Sequence, residues 1–106
     1  MPTIQVKPAG SVLPRVEKYS LETIVYKLDC APVLEPMELV VSAEVIDPPE
    51  GITINRCRAK DGTAVEVTVS GPDLGVQVYQ DFIINTAYTT TMGNTRVGAF
   101  QLRVHK

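Results

Sequence analysis

The residues able to do chemistry are few and badly spaced for it. The chain of 106 residues has one histidine, His105, and two cysteines, Cys30 and Cys57. Nucleophilic catalysis needs a base held in register beside a nucleophile. His105 stands next to last, where chain ends rarely hold a side chain in place, so it is not expected to act as a base. Zinc takes three or four clustered Cys, His or carboxylate ligands, and Cys30, Cys57 and His105 do not cluster in the sequence. Without a CxxC spacing, the two cysteines read as buried or half-buried free thiols in a reducing compartment. The alternative, a disulfide between them, requires backbones within about 7 Å. Paired carboxylates do acid–base work in some enzymes, but Asp29, Glu35, Glu38 and Glu44 read as solvated charges on strands and loops. Asp47, Asp61, Asp73 and Asp81 are isolated rather than gathered in a calcium loop. Gly71 and Gly75 flank Pro72 with no Lys-Ser/Thr after them, so there is no phosphate loop. No catalytic residue, cofactor or metal is expected, and the chain is read as a non-enzyme.

Composition narrows the partners. Ten basic against twelve acidic residues leave a net charge of −2. The basic residues are scattered, as in Arg56, Arg58 and Lys60, which gives no footprint for nucleic acid. No apolar run approaches the roughly 20 residues that span a bilayer. The first residues, MPTIQVKPAGSVLP, lack the apolar centre of a secretory signal.

The elements that would position any site are strands. In Ala64–Ser70, Val65, Val67 and Val69 alternate with Glu66, Thr68 and Ser70, the period of a strand with one buried face. Further strands are expected over residues 23–28, where Thr23, Ile24, Val25 and Tyr26 form a β-branched and aromatic run, and over residues 39–45, with Leu39, Val41, Ala43 and Val45 facing the core. Ile52 and Ile54 mark a short strand. Asp61-Gly62 is a tight-turn signal, with positive φ expected at Gly62. From Val76 to Thr86 two rows alternate, and both contain aromatic and aliphatic members. In the last strand Phe100, Leu102 and Val104 form the inner row. Val67, Phe100 and Leu102 are expected in the core. The residues from Ala64 to Val104 read as three antiparallel strands joined by a short link and a hairpin. About seven short strands, with turn signals every 8–12 residues or so, predict an all-β, immunoglobulin-like antiparallel sandwich over residues 15–106. A small barrel is the alternative.

Two surface features stand apart. Residues 1–14 contain Pro2, Pro8 and Pro14 and read as an extended N-terminal arm, able to pair briefly as an edge strand or to dock on a neighbour. The hairpin from Ala87 to Arg96 is rich in Tyr and Thr and also holds Arg96 and Met92; Tyr and Arg are types favoured at protein contacts, and a plain polar hairpin is the other reading. Ile4 and Val6 of the arm, with Tyr88, Met92, Asn94 and Arg96 of the hairpin, are the candidate partner-contact residues. A platform of Tyr19, Tyr26, Tyr79 and Tyr88 for binding carbohydrate is a further reading.

From Leu39 onward the chain resembles a family of small Ig-like structural proteins of tailed bacteriophages. The resemblance rests on LVVSAEV, PPEGITI, DGTAVEVTVSGPDLGVQVY, a threonine-rich stretch, GNTR and FQLRV, in that order, and spans residues 20–106. Where family members carry a Trp-containing segment, this chain has Tyr19, Leu21 and Tyr26. The resemblance implies a virion component made in the host bacterial cytoplasm, a neck or tail-fibre adaptor. Its partners would be other neck, tail, fibre or capsid subunits, with self-association in a symmetric ring. A capsid decoration (cement) protein and a host-surface or carbohydrate-binding module are the alternative roles.

Overall fold

The strand at Ala64–Ser70 lies at the centre of the architecture, because alternation there is uninterrupted. Val65, Val67 and Val69 are fully buried, each worth roughly 1.5–3 kcal/mol relative to an exposed position. In a computed structural model, residues 2–8 and 10–106 are described. They form eight strands: β1 (Thr3–Gln5), β2 (Arg15–Tyr19), β3 (Ile24–Asp29), β4 (Val40–Ile46), β5 (Thr53–Lys60), β6 (Ala64–Ser70), β7 (Tyr79–Thr90) and β8 (Thr95–His105). A single 3₁₀ turn, Ala31–Val33, follows β3. One sheet has the order β1-β3-β6-β5, the other β2-β8-β7-β4. The two pack face to face as a β-sandwich. Tyr26 of β3 meets Phe100 of β8 across the core, with ring centroids 5.6 Å apart in a tilted pair.

Several expectations are corrected by this arrangement. β6 does not pair with β7: residues 71–78 cross from one sheet to the other, so of the three strands expected from Ala64 to Val104 only β7 and β8 pair as a hairpin. On β4 the expected inner row breaks at Val41, where a bulge separates the pairs Val40↔Thr90 and Ser42↔Thr89. Val40 is therefore buried before the bulge and Ala43 and Val45 pack on the core after it, while Leu39 and Val41 are exposed. A second bulge, between Ile54 and Arg56, does the same on β5, so that Ile54, Cys57 and Ala59 face inward along a strand longer than expected. An extra residue in one strand shifts every later side chain to the other face. The undecided row of β7 is settled for Phe82, Ile84, Thr86, Tyr88 and Thr90, all buried.

The first residues are also more integrated than an arm. Met1 and Ala9 lie outside the described residues. β2, which begins at Arg15, pairs parallel with β8 in one sheet, while β1 pairs parallel with β3, so residues of this stretch join the other. Its prolines flank the short strands rather than interrupt them, which costs no ladder bond. Ile4 and Val6 are 3% and 2% exposed, inside the core cluster. Val6 reaches that depth because Gly98 opposite has no side chain: a Cβ there would lie 3.0 Å from a Val6 methyl. At the Asp61-Gly62 turn both residues have positive φ, 55° and 72°, the backbone of a tight hairpin turn.

Candidate interaction surface

The densest polar cluster in the chain lies where the β7–β8 hairpin meets the segment before β4. Sequence offers Glu38 as one more surface charge. The fold instead buries it to 2% exposure. Oε2 of its carboxylate accepts from the Thr90 hydroxyl at 2.6 Å, Asn94 Nδ2 at 2.8 Å and Arg96 Nε at 3.3 Å; Oε1 accepts from Arg96 Nη2 and from the Glu35 backbone N–H, both at 2.9 Å. A carboxylate held by so many donors favours its charged form. The Arg96 bond, followed by those from Thr90 and Glu35, lowers the Glu38 pKa to about 2. Two more bonds join the same pieces: Thr91 N–H donates to Leu39 C=O at 2.8 Å, and Leu39 N–H donates to the Thr91 hydroxyl at 3.1 Å.

The consequence is that two segments carrying exposed apolar residues are held side by side. Met37 takes a positive φ of 67°, a costly conformation for a side-chain-bearing residue. Its neighbour Glu38 is anchored inward while Met37 points out, 90% exposed. Leu39 and Met92, 46% and 51% exposed, lie on the segments that the Leu39–Thr91 bonds join. Leu39 also packs against the Gly62 turn. Sequence reasoning found Met92 but missed Met37, Leu39 and Glu38. Their only local signal was a Pro-Met-Glu-Leu run after a proline-rich link.

The candidate contact residues therefore part company. Met92 is on the exposed tip. Asn94 and Arg96 are close by, but their polar groups are engaged by Glu38. Tyr88 is buried, at 1% exposure, and with Val6, Pro32, Val33 and Arg96 it lines a cleft of about 470 Å³. Ile4 and Val6 are core residues, so within a folded single chain their side chains are not free to meet a neighbour. The physical reason is that β1 completes a sheet over β3, where its apolar row has something to bury against.

The four tyrosines do not form one platform. Tyr26 and Tyr88 are buried, each 1% exposed. Tyr19 and Tyr79 are exposed and flank His105, with ring centroids 6.1 and 6.4 Å from its ring. Arg103 stands 4.4 Å over the Tyr79 ring and forms a two-pronged pair with Asp81, at 2.7 and 3.0 Å. His105 Nε2 lies 3.3 Å from a Glu17 carboxylate oxygen. The basic residues of β5 are not wholly scattered either: Arg58 and Lys60 converge on the Glu66 carboxylate at 2.8 and 3.7 Å.

Both cysteines are unpaired, and burial pushes both thiols up to about 11, which disfavours the reactive thiolate. Among the described residues, no group of three or more His, Cys, Asp or Glu side chains is placed to hold a metal ion. Among them, no helix is long and apolar enough to cross a membrane. No protein-family model matches the chain, and neither does any curated protein.

Proposed function

We propose that this chain is a non-enzymatic structural module that works through protein–protein contacts, and that it serves as a neck or tail-fibre adaptor in a tailed-phage virion. The observation that carries the contact reading is the apolar tip of Met37, Leu39 and Met92, held by the buried Glu38 network. Strained backbone clusters at functional sites, so the positive φ of the exposed Met37 supports a contact role for this end of the molecule. A rigid tip loses little entropy on docking, so more of its burial appears as affinity. The strand order β1-β3-β6-β5 against β2-β8-β7-β4 supports an immunoglobulin-like sandwich, with the first strand divided between the sheets. The virion reading rests on the resemblance over residues 20–106.

Its test is a purified particle. The protein should be present in multiple symmetric copies, with the tip at a subunit boundary. Absence from purified virions sinks the adaptor reading and the capsid-cement alternative together. A carbohydrate-binding role is favoured by one observation, the exposed Tyr19 and Tyr79 about His105. Binding of the isolated protein to a glycan array, lost in Tyr79→Ala, would select it instead.

A further inference from the structure

The outer face of the β1-β3-β6-β5 sheet is charged oppositely to the rest of the chain. Lys27 of β3, Glu66 of β6 and Arg58 of β5 stand side by side across three strands. Arg56 and Lys60 lie two residues to either side of Arg58 and share its face. Asp29, two residues from Lys27, shares it too. Four basic against two acidic side chains leave this face at +2, while the whole chain is −2, so everything else carries −4. With strands about 4.8 Å apart and a rise of about 3.4 Å per residue, the four cations occupy a patch of about 10 by 14 Å.

Glu66 is 4% exposed although it belongs to this outer row. Its Oε1 accepts from Arg58 Nε and Nη2, each at 2.8 Å, and its Oε2 lies 3.7 Å from Lys60 Nζ. One buried carboxylate therefore holds two cationic heads, whose side chains stay 48% and 40% exposed, and balances only one of them. Asp29 Oδ1 accepts from the Ala31 N–H at 3.1 Å. Among the described residues, Lys27 and Arg56 enter no ion pair. Positive charge is left over beside heads that are already positioned, which lowers the entropy lost when a partner docks.

We propose that this face is a docking surface for an acidic segment of a partner protein, whose carboxylates meet Lys27, Arg56 and the exposed sides of Arg58 and Lys60. Guanidinium forks match carboxylates two bonds at a time. Nucleic acid fits less well. Four cations are fewer than the roughly six to ten phosphate contacts of strong duplex binders. Tyr26, the one aromatic residue of β3, β5 and β6, is buried in the core and offers no stacking platform. This surface shares no residue with the tip, and it stands or falls separately from the virion role.

The probe is a fluorescein-labelled oligoglutamate peptide, titrated with the full-length protein at low salt and read by anisotropy. Saturable binding that weakens as salt rises is expected, with backbone amide shifts in NMR spectra concentrated on β3, β5 and β6. Lys27→Glu with Arg56→Glu should weaken binding by roughly tenfold or more and leave the circular dichroism spectrum unchanged, since neither side chain enters an ion pair. Lys27→Gln with Arg56→Gln, a milder pair, should weaken it in the same direction. Arg15→Glu, on the other sheet, should bind as the parent does. No binding at low salt overturns the proposal, and so does binding that both double variants keep or amide shifts that fall on the other sheet. Tighter binding of an oligothymidylate of equal charge overturns it as well, because the face is then a nucleic-acid surface.

Discussion

Ile4→Ala decides whether the first strand belongs to the fold in solution. The Ile4 side chain is 3% exposed and sits in the core cluster. The substitution removes three carbons, each worth about 0.8 kcal/mol when buried, or roughly 2.4 kcal/mol before any cavity is counted. The void left behind raises the expected loss to about 2–4 kcal/mol. The loss has a ceiling, because β1 is an edge strand paired only with β3 and can leave the sheet on its own, so the cost cannot exceed that of detaching the strand. Urea unfolding at fixed protein concentration, followed by fluorescence or circular dichroism, measures the change as a lower midpoint with an unchanged slope. Gln5→Ala, on the exposed face of the same strand, is the control and should stay within about 0.5 kcal/mol of the parent. If Ile4→Ala also costs less than about 0.5 kcal/mol, β1 is not held in the core, and the reading of residues 1–14 as a free arm is restored.

Phe100→Ala should cost about 3–5 kcal/mol in the same assay, because Phe100 is fully buried against Tyr26; a loss below about 1 kcal/mol would mean that the inner face of β8 is misassigned. Gly62→Val should destabilise by more than about 1 kcal/mol, since φ there is 72° and a Cβ would lie 3.1 Å from Leu39; an unchanged midpoint would refute the turn geometry. Glu38 has a depressed pKa in the fold, so its stabilisation is present above the ordinary carboxylate range and lost as pH falls toward about 2. Glu38→Gln should therefore flatten stability against pH between about 4.5 and 2, and a parallel curve for parent and variant would count against the network. Met37→Asp with Met92→Asp should leave the unfolding midpoint nearly unchanged yet abolish incorporation into particles; normal incorporation would remove the tip from the contact surface.

The residues of β6 and β8 announce their faces because period-two alternation is a property of the extended backbone, written in side chains two apart. Val67, Phe100 and Leu102 could be placed from that pattern alone, and so could the Asp61-Gly62 turn, since positive φ is a local demand on residue type. The inner row of β7 could not, because both rows carry apolar residues. The choice comes from register with β8, where Ile84 stands opposite Phe100. The bulges at Val41 and Asn55 are likewise set by the partner strands, so no local pattern reports the change of phase. Whether Ile4 and Val6 are loose or buried depends on β3 and Gly98, far along the chain. Glu38 is the sharpest case. A glutamate in a polar link reads as solvated, yet its partners Thr90, Asn94 and Arg96 lie 52, 56 and 58 residues away. A side chain's period is local, but its depth and its hydrogen-bond partners are long-range properties that exist only once the sheets have met.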